Sequence, residues 1–169
     1  QSMGAALGSR LGIVRSSPVP RCVDTALAVL AGARRSGVPD HDRLLGDPGA
    51  YVVDGEAAMS ELVSLGFHPA ARRLGDGEQL RGFADPDLAT IQLIALARSL
   101  LEARPGELHL LVTHDLILST MVARVRGIAL SEPEWPHYLH GVAVWQSDGE
   151  LLSRYGSIVC PVPQRLSRT

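Results

Sequence analysis

The sequence predicts an α/β fold: a mainly parallel sheet flanked by helices, with an antiparallel hairpin at its edge. Three features predict it. Residues 11–37 and residues 107–127 each pass from a β-branched or apolar run, through a short polar loop, into a helical period. Near the C-terminus, "GVAVWQSDGELLSRY" alternates about Asp148-Gly149, a hairpin signal. Strands that alternate with helices need crossover connections, which favour parallel pairing under helices.

Each element follows from a local pattern. "QSMGAALGSRLG" reads as the middle of an amphipathic helix, without the basic start and apolar stretch of a signal peptide. The expectation is therefore that the chain begins inside a domain. "LGIVRSS" reads as a strand and "SPVP" as a turn. In "RCVDTALAVLAGARRSG", Val23, Ala26, Leu27, Leu30 and Ala33 fall at helical spacing, with Gly37 and Pro39 as the stop. A Gly-, Pro- and Asp-rich stretch follows, with helices expected at "EAAMSELVSLG" and near "PAARRL". It reads as a small helical lid inserted over about residues 36–85.

Asp85 is then placed to cap a helix that has Pro86 at its first position and ends at Pro105-Gly106. That helix is apolar on most sides, so deep packing is expected. In "ELHLLVTHD" the run "LLVT" is apolar throughout, as in a strand covered on both faces. "LILSTMVARVRG" offers Leu116, Leu118, Met121, Val122 and Val125 as a buried helical face, with Gly127 at its end. The chain shows no internal repeat or low-complexity tract, so residues 1–169 read as a single domain.

Composition narrows the partner. The 169 residues are 46% hydrophobic, enough for one core, and carry 16 Lys+Arg against 18 Asp+Glu. There is no basic block to track nucleic acid and no Lys/Arg face for a membrane surface. No run approaches the ~18 apolar residues of a membrane span. A small-molecule partner is expected. Cys22 and Cys160 read as buried thiols rather than a disulfide framework, and so few cysteines suggest a cytoplasmic setting.

Ligands of open parallel sheets sit beyond the carboxyl ends of strands, where helix N-termini favour anions. The first strand–loop–helix unit delivers Arg15, Ser16, Ser17 and Arg21 to that edge, and the second delivers Thr113, His114 and Asp115. Arg21 is informative, because a cation at a helix entrance opposes the helix dipole unless an anion shares the place. Arginine offers a planar fork of donors to phosphate, and a neighbouring carboxyl can protonate a leaving oxygen. Plainer roles exist for each residue: a solvated Arg21, a capping Asp115, and an Arg15 held in a strand-end salt bridge. His109 and His114 are spaced to face opposite sides of a strand, so no metal site is expected.

"RSSPVPRCVDTA" followed by "LLVTHDLILSTMV" resembles the histidine phosphatase superfamily, and the His-Asp pair resembles its acid phosphatase branch. The likeness extends to "QSMGAALGSRLG" and "EWPHYLHGVAVW", but not to residues 36–84. It implies a phosphoglycerate mutase-like fold and hydrolysis of small phosphomonoesters through a phosphohistidine, without metal or organic cofactor. On this resemblance Arg21 binds the phosphate, His114 hydrogen-bonds the transferring phosphoryl group, and Asp115 is the general acid. Arg15 matches a substrate-binding arginine of some acid phosphatases.

The sequence departs from the family at the nucleophile, because it contains no Arg-His-Gly. Its His140-Gly141 follows Leu139 and precedes a strand, the wrong end for that role. The nucleophile is expected on a strand upstream of Gln1. A phosphomutase or phosphotransferase of the same superfamily, and a module that binds phosphorylated ligands without turnover, are the alternatives.

Overall fold

A computed structural model describes residues 2–167, so Gln1 of the first expected helix lies outside the described residues, as do the last two of the expected domain. Helix α1 (Ser2–Leu7) and a 3-10 turn, Gly8–Arg10, lead into β1 (Leu11–Ser16). β1 is the middle of a three-stranded parallel sheet, between β2 (Asp40–His41) and β3 (Leu108–Val112). Arg15 stands opposite Asp40 and Leu111, and Ser16 opposite His41 and Val112.

Helix α2 (Pro20–Gly32) returns across β1 with Pro20 in its first turn. It ends well before the expected Gly37–Pro39 stop. Arg34 takes φ 56°, and the Arg35 guanidinium donates to the Leu11 and Gly12 carbonyls, pulling the chain back over the strand. Its buried face is also rotated from the expected one. Cys22, Ala26, Val29 and Leu30 are buried while Leu27 is exposed, because Ala26, Val29 and Leu30 pack on Leu11 and Val14. α1 fits beneath α2 only because residue 4 is glycine. An added Cβ there would collide with the Val29 carbonyl and come within 2.9 Å of the Gly32 Cα.

The two helices expected between residues 36 and 85 are present as α3 (Gly55–Leu65) and α4 (Phe67–Gly75). They have a small core of their own, formed by Val52, Ala58, Ala70, Leu74, Leu80 and Phe83. Helix α5 (Pro86–Ala103) starts where the sequence places it, with Asp85 Oδ1 accepting from the Asp87 and Leu88 amides at 2.9 Å. Helix α6 (Asp115–Arg126) ends at Gly127 in the left-handed region, φ 74°. These two helices carry the main core, where Leu93, Ile94, Ile117, Met121 and Val125 meet Leu45, Tyr51 and Leu151.

The hairpin is where the fold departs most from the sequence reading. Strands β4 (Val142–Ser147) and β5 (Glu150–Tyr155) turn at Asp148 and Gly149, φ 50° and 81°, and β6 (Ile158–Pro161) adds a third strand. Together they form a separate antiparallel sheet, order β4–β5–β6, rather than an edge of the parallel one. Helix α7 (Gln164–Ser167) follows and buries Leu166 against the same core. Among the described residues β3 pairs only with β1, and β4 only with β5, so each leaves one edge unpaired. β3 was expected to be covered on both faces, yet Leu108 is exposed and the rest of the strand is half-buried. The apolar run is of interior type, and among the described residues no strand lies along its outer side.

Candidate functional site

Two strand ends converge through a few backbone bonds. At the end of β1 the Ser17 amide donates to the Val112 carbonyl at 2.9 Å, which locks the ends of β1 and β3 together. Pro20 keeps Val19 extended, φ −67° and ψ 130°, so α2 starts abruptly and Arg21 lies in its first turn, exposed. After β3, the Thr113 hydroxyl donates to the Leu45 carbonyl at 2.7 Å, and His114 becomes the N-cap of α6. Asp115, weighed above as a cap, is instead the first helical residue. Its Oδ1 accepts from the Leu116 amide at 2.9 Å, and the residue is exposed. The positive ends of two helix dipoles therefore face the same place.

There Arg21 Nη2 lies 2.8 Å from His114 Nδ1. A guanidinium can only donate, so Nδ1 accepts and the ring hydrogen sits on Nε2. Nε2 faces Ser17 Oγ at 3.0 Å, and the same oxygen takes the Val19 amide at 3.3 Å. Cys22 Sγ lies 3.9 Å from both ring nitrogens and 3.6 Å from the Thr113 carbonyl. Burial, then the Arg21 charge, pushes the His114 pKa below its ordinary value, while Asp115 and Asp47 pull the other way. Burial raises the Cys22 thiol, against the pull of Arg21 and a hydrogen bond from Ser17. The imidazole is therefore neutral at pH 7, and the thiol is protonated.

Arg21 and His114, from opposite ends of the sequence motif pair, are brought into contact, with Asp115 next in the chain. Arg15 is not part of that contact. Its Nη1 pairs with Asp42 Oδ2 at 2.9 Å, the strand-end salt bridge weighed as its plainer role. The other five histidines make different contacts. His109 Nδ1 accepts from the Ile13 amide, His68 stacks edge-on with Phe67 and Trp135, His137 and His140 stack on each other, and His41 is exposed. His140 also borders a cavity of about 460 Å³ with Arg126, Trp135, Tyr155 and Ile158, a groove on the antiparallel sheet that includes neither Arg21 nor His114. Among the described residues no three His, Cys, Asp or Glu side chains are grouped to hold a metal ion.

Two participants escaped the sequence reading. Asp47 acts on His114 by charge from the loop after β2. That loop comes close because residue 46 is glycine, where an added Cβ would stand 3.0 Å from both Ser17 Oγ and Pro18 Cδ. The only signal was the Gly-Asp-Pro-Gly turn composition at residues 46–49. Ser17 was placed at the sheet edge, but its bond to the imidazole was not foreseen.

An exposed arginine fork beside a neutral imidazole, at two helix N-termini, can receive a tetrahedral anion, and the adjoining carboxyl can exchange a proton with it. The chain matches no protein-family model, no curated protein and no solved structure.

Proposed function

We propose that this chain carries the phosphate-holding and acid-donating part of a phosphomonoester hydrolase of the histidine phosphatase kind. The observation that carries the reading is the 2.8 Å contact of Arg21 with His114 at the carboxyl ends of two parallel strands, with Asp115 adjoining. In this mechanism a phosphate monoester binds with its non-bridging oxygens on Arg21 and His114. An imidazole nucleophile forms a P–N bond as the P–O bond to the alcohol breaks, and the Asp115 carboxyl gives its proton to the departing alkoxide. Water, giving a proton to the Asp115 carboxylate, then attacks phosphorus, breaks the P–N bond and releases inorganic phosphate. Arg21 stabilises the charge on the transferring group.

The nucleophilic imidazole belongs, in this reading, to a strand outside these residues. The unpaired edges of β3 and β4 support that, because each leaves backbone donors and acceptors that a further strand could pair. A module that only binds phosphorylated ligands is the second reading, favoured by the contact of Arg21 with His114 alone among the described histidines.

Leaving-group dependence tests the assignment in the full encoded chain. Asp115→Asn should slow hydrolysis of an alkyl phosphate at least about 100-fold more than that of p-nitrophenyl phosphate, whose phenolate needs no proton. Equal losses would remove Asp115 from the acid role. Binding of phosphate without any turnover would favour the binding module, and phosphate recovered on a second alcohol would make the protein a phosphotransferase.

A further inference from the structure

We propose that Ser17 is a positioning residue that fixes the hydrogen of His114 on Nε2, so that a dianion arriving at Arg21 is bound together with one proton taken up on Nδ1. This rests on the reading above that the site receives a phosphate group.

The hydrogen bonds run in one direction. Arg21 donates to Nδ1, and Nε2–H donates to Ser17 Oγ. The guanidinium has only donors to offer, so neither link can be reversed without setting two hydrogens against each other. Ser17 has no room to leave its place. It is 0% exposed, its amide is bonded to Val112, and even a Cβ on Gly46 would stand only 3.0 Å from its hydroxyl oxygen. The Val19 amide further commits Oγ to accepting.

A dianion changes one end of this chain. Its oxygens compete for the Arg21 donors, Nδ1 loses its donor, and a lone pair is left facing an anionic oxygen. That repulsion is relieved when Nδ1 takes a proton from solvent and donates it to the anion. The charged groups facing the ring differ in sign. From α2, Arg21 opposes the imidazolium only until its charge is matched by the ligand. Asp115 on α6 and Asp47 on the loop after β2 favour the imidazolium throughout, and Cys22 from α2 is protonated and neutral. Ser17 keeps its role in both states, accepting from Nε2–H, and its bond strengthens when the ring is charged.

The test uses the 169-residue chain and inorganic sulfate, a dianion that does not itself titrate near neutral pH. Calorimetric titration in two buffers of different ionisation enthalpy counts the protons taken up per ion bound. Uptake near one proton is expected for the wild type and near zero for His114→Gln. Ser17→Ala should bind sulfate about tenfold more weakly, the loss of one charge-assisted hydrogen bond, with reduced uptake. Nitrogen NMR of the ligand-free chain should find His114 with hydrogen on Nε2, and in Ser17→Ala that hydrogen should exchange rapidly with water. Sulfate binding without proton uptake, or a ligand-free ring with its hydrogen on Nδ1, would overturn the proposal while leaving the phosphate reading standing. No binding of sulfate or phosphate at all would overturn both.

Discussion

At the scale of single residues, the site depends on a histidine kept uncharged. Burial and the Arg21 charge both depress the His114 pKa, and the sign of the consequence follows. Above the usual histidine value of about 6.5 the ring is neutral in folded and unfolded chains alike, so it adds no pH dependence. As pH falls below that value the unfolded chain takes up the proton first, and stability drops until the folded pKa is passed. Urea unfolding of the wild type and His114→Gln, compared from pH 8 to 5, should show a steeper acid loss in the wild type. Parallel curves would mean the ring is not held neutral. That Arg21 and His114 come together was legible in the sequence because each lies in a strand–loop–helix connection, and such connections can be read from local pattern. Asp47 was not, because a Gly-Pro turn has no period to say where it points. Ser17's part depends on the direction of a hydrogen bond made only when two distant strands meet.

At the scale of elements, what was legible was what is decided locally. Asp85-Pro86 announces the start of α5, and the structure has the cap bonds that the pair implies. Removing them in Asp85→Ala should cost about 1 kcal/mol of unfolding free energy, measurable by urea titration, and Asp85→Asn should recover most of it. Gly127 and the Asp148-Gly149 turn were readable for the same reason, since their left-handed backbone favours few residues. The end of α2 was not local. It is set by Arg35 reaching the carbonyls of Leu11 and Gly12, residues far back in the chain. β2 is only two residues long, and β6 carries a proline, so neither gives an alternating pattern to find.

At the scale of the whole molecule, the parallel and antiparallel sheets share one core through α5 and α6, yet do not pair with each other. The sequence led to a single sheet because local pattern finds strands without saying which of them pair. Which strands pair depends on what lies between them. The unpaired edges have a measurable consequence. Hydrogen exchange should be at least about tenfold faster for the slowest amides of β3 than for those of β1, which has partners on both sides. Equal protection would mean the outer edge of β3 is already covered.

The central claim is that Arg21 and His114 form a site for a phosphate group, and thermal unfolding with orthovanadate or inorganic phosphate tests it most directly. At ten times the dissociation constant, specific binding should add about 1.4 kcal/mol and raise the wild-type midpoint by roughly 3–6 °C. Arg21→Ala should unfold at its own midpoint with no shift at the same concentration. A wild type that neither anion stabilises, or an Arg21→Ala variant stabilised equally, would contradict the account.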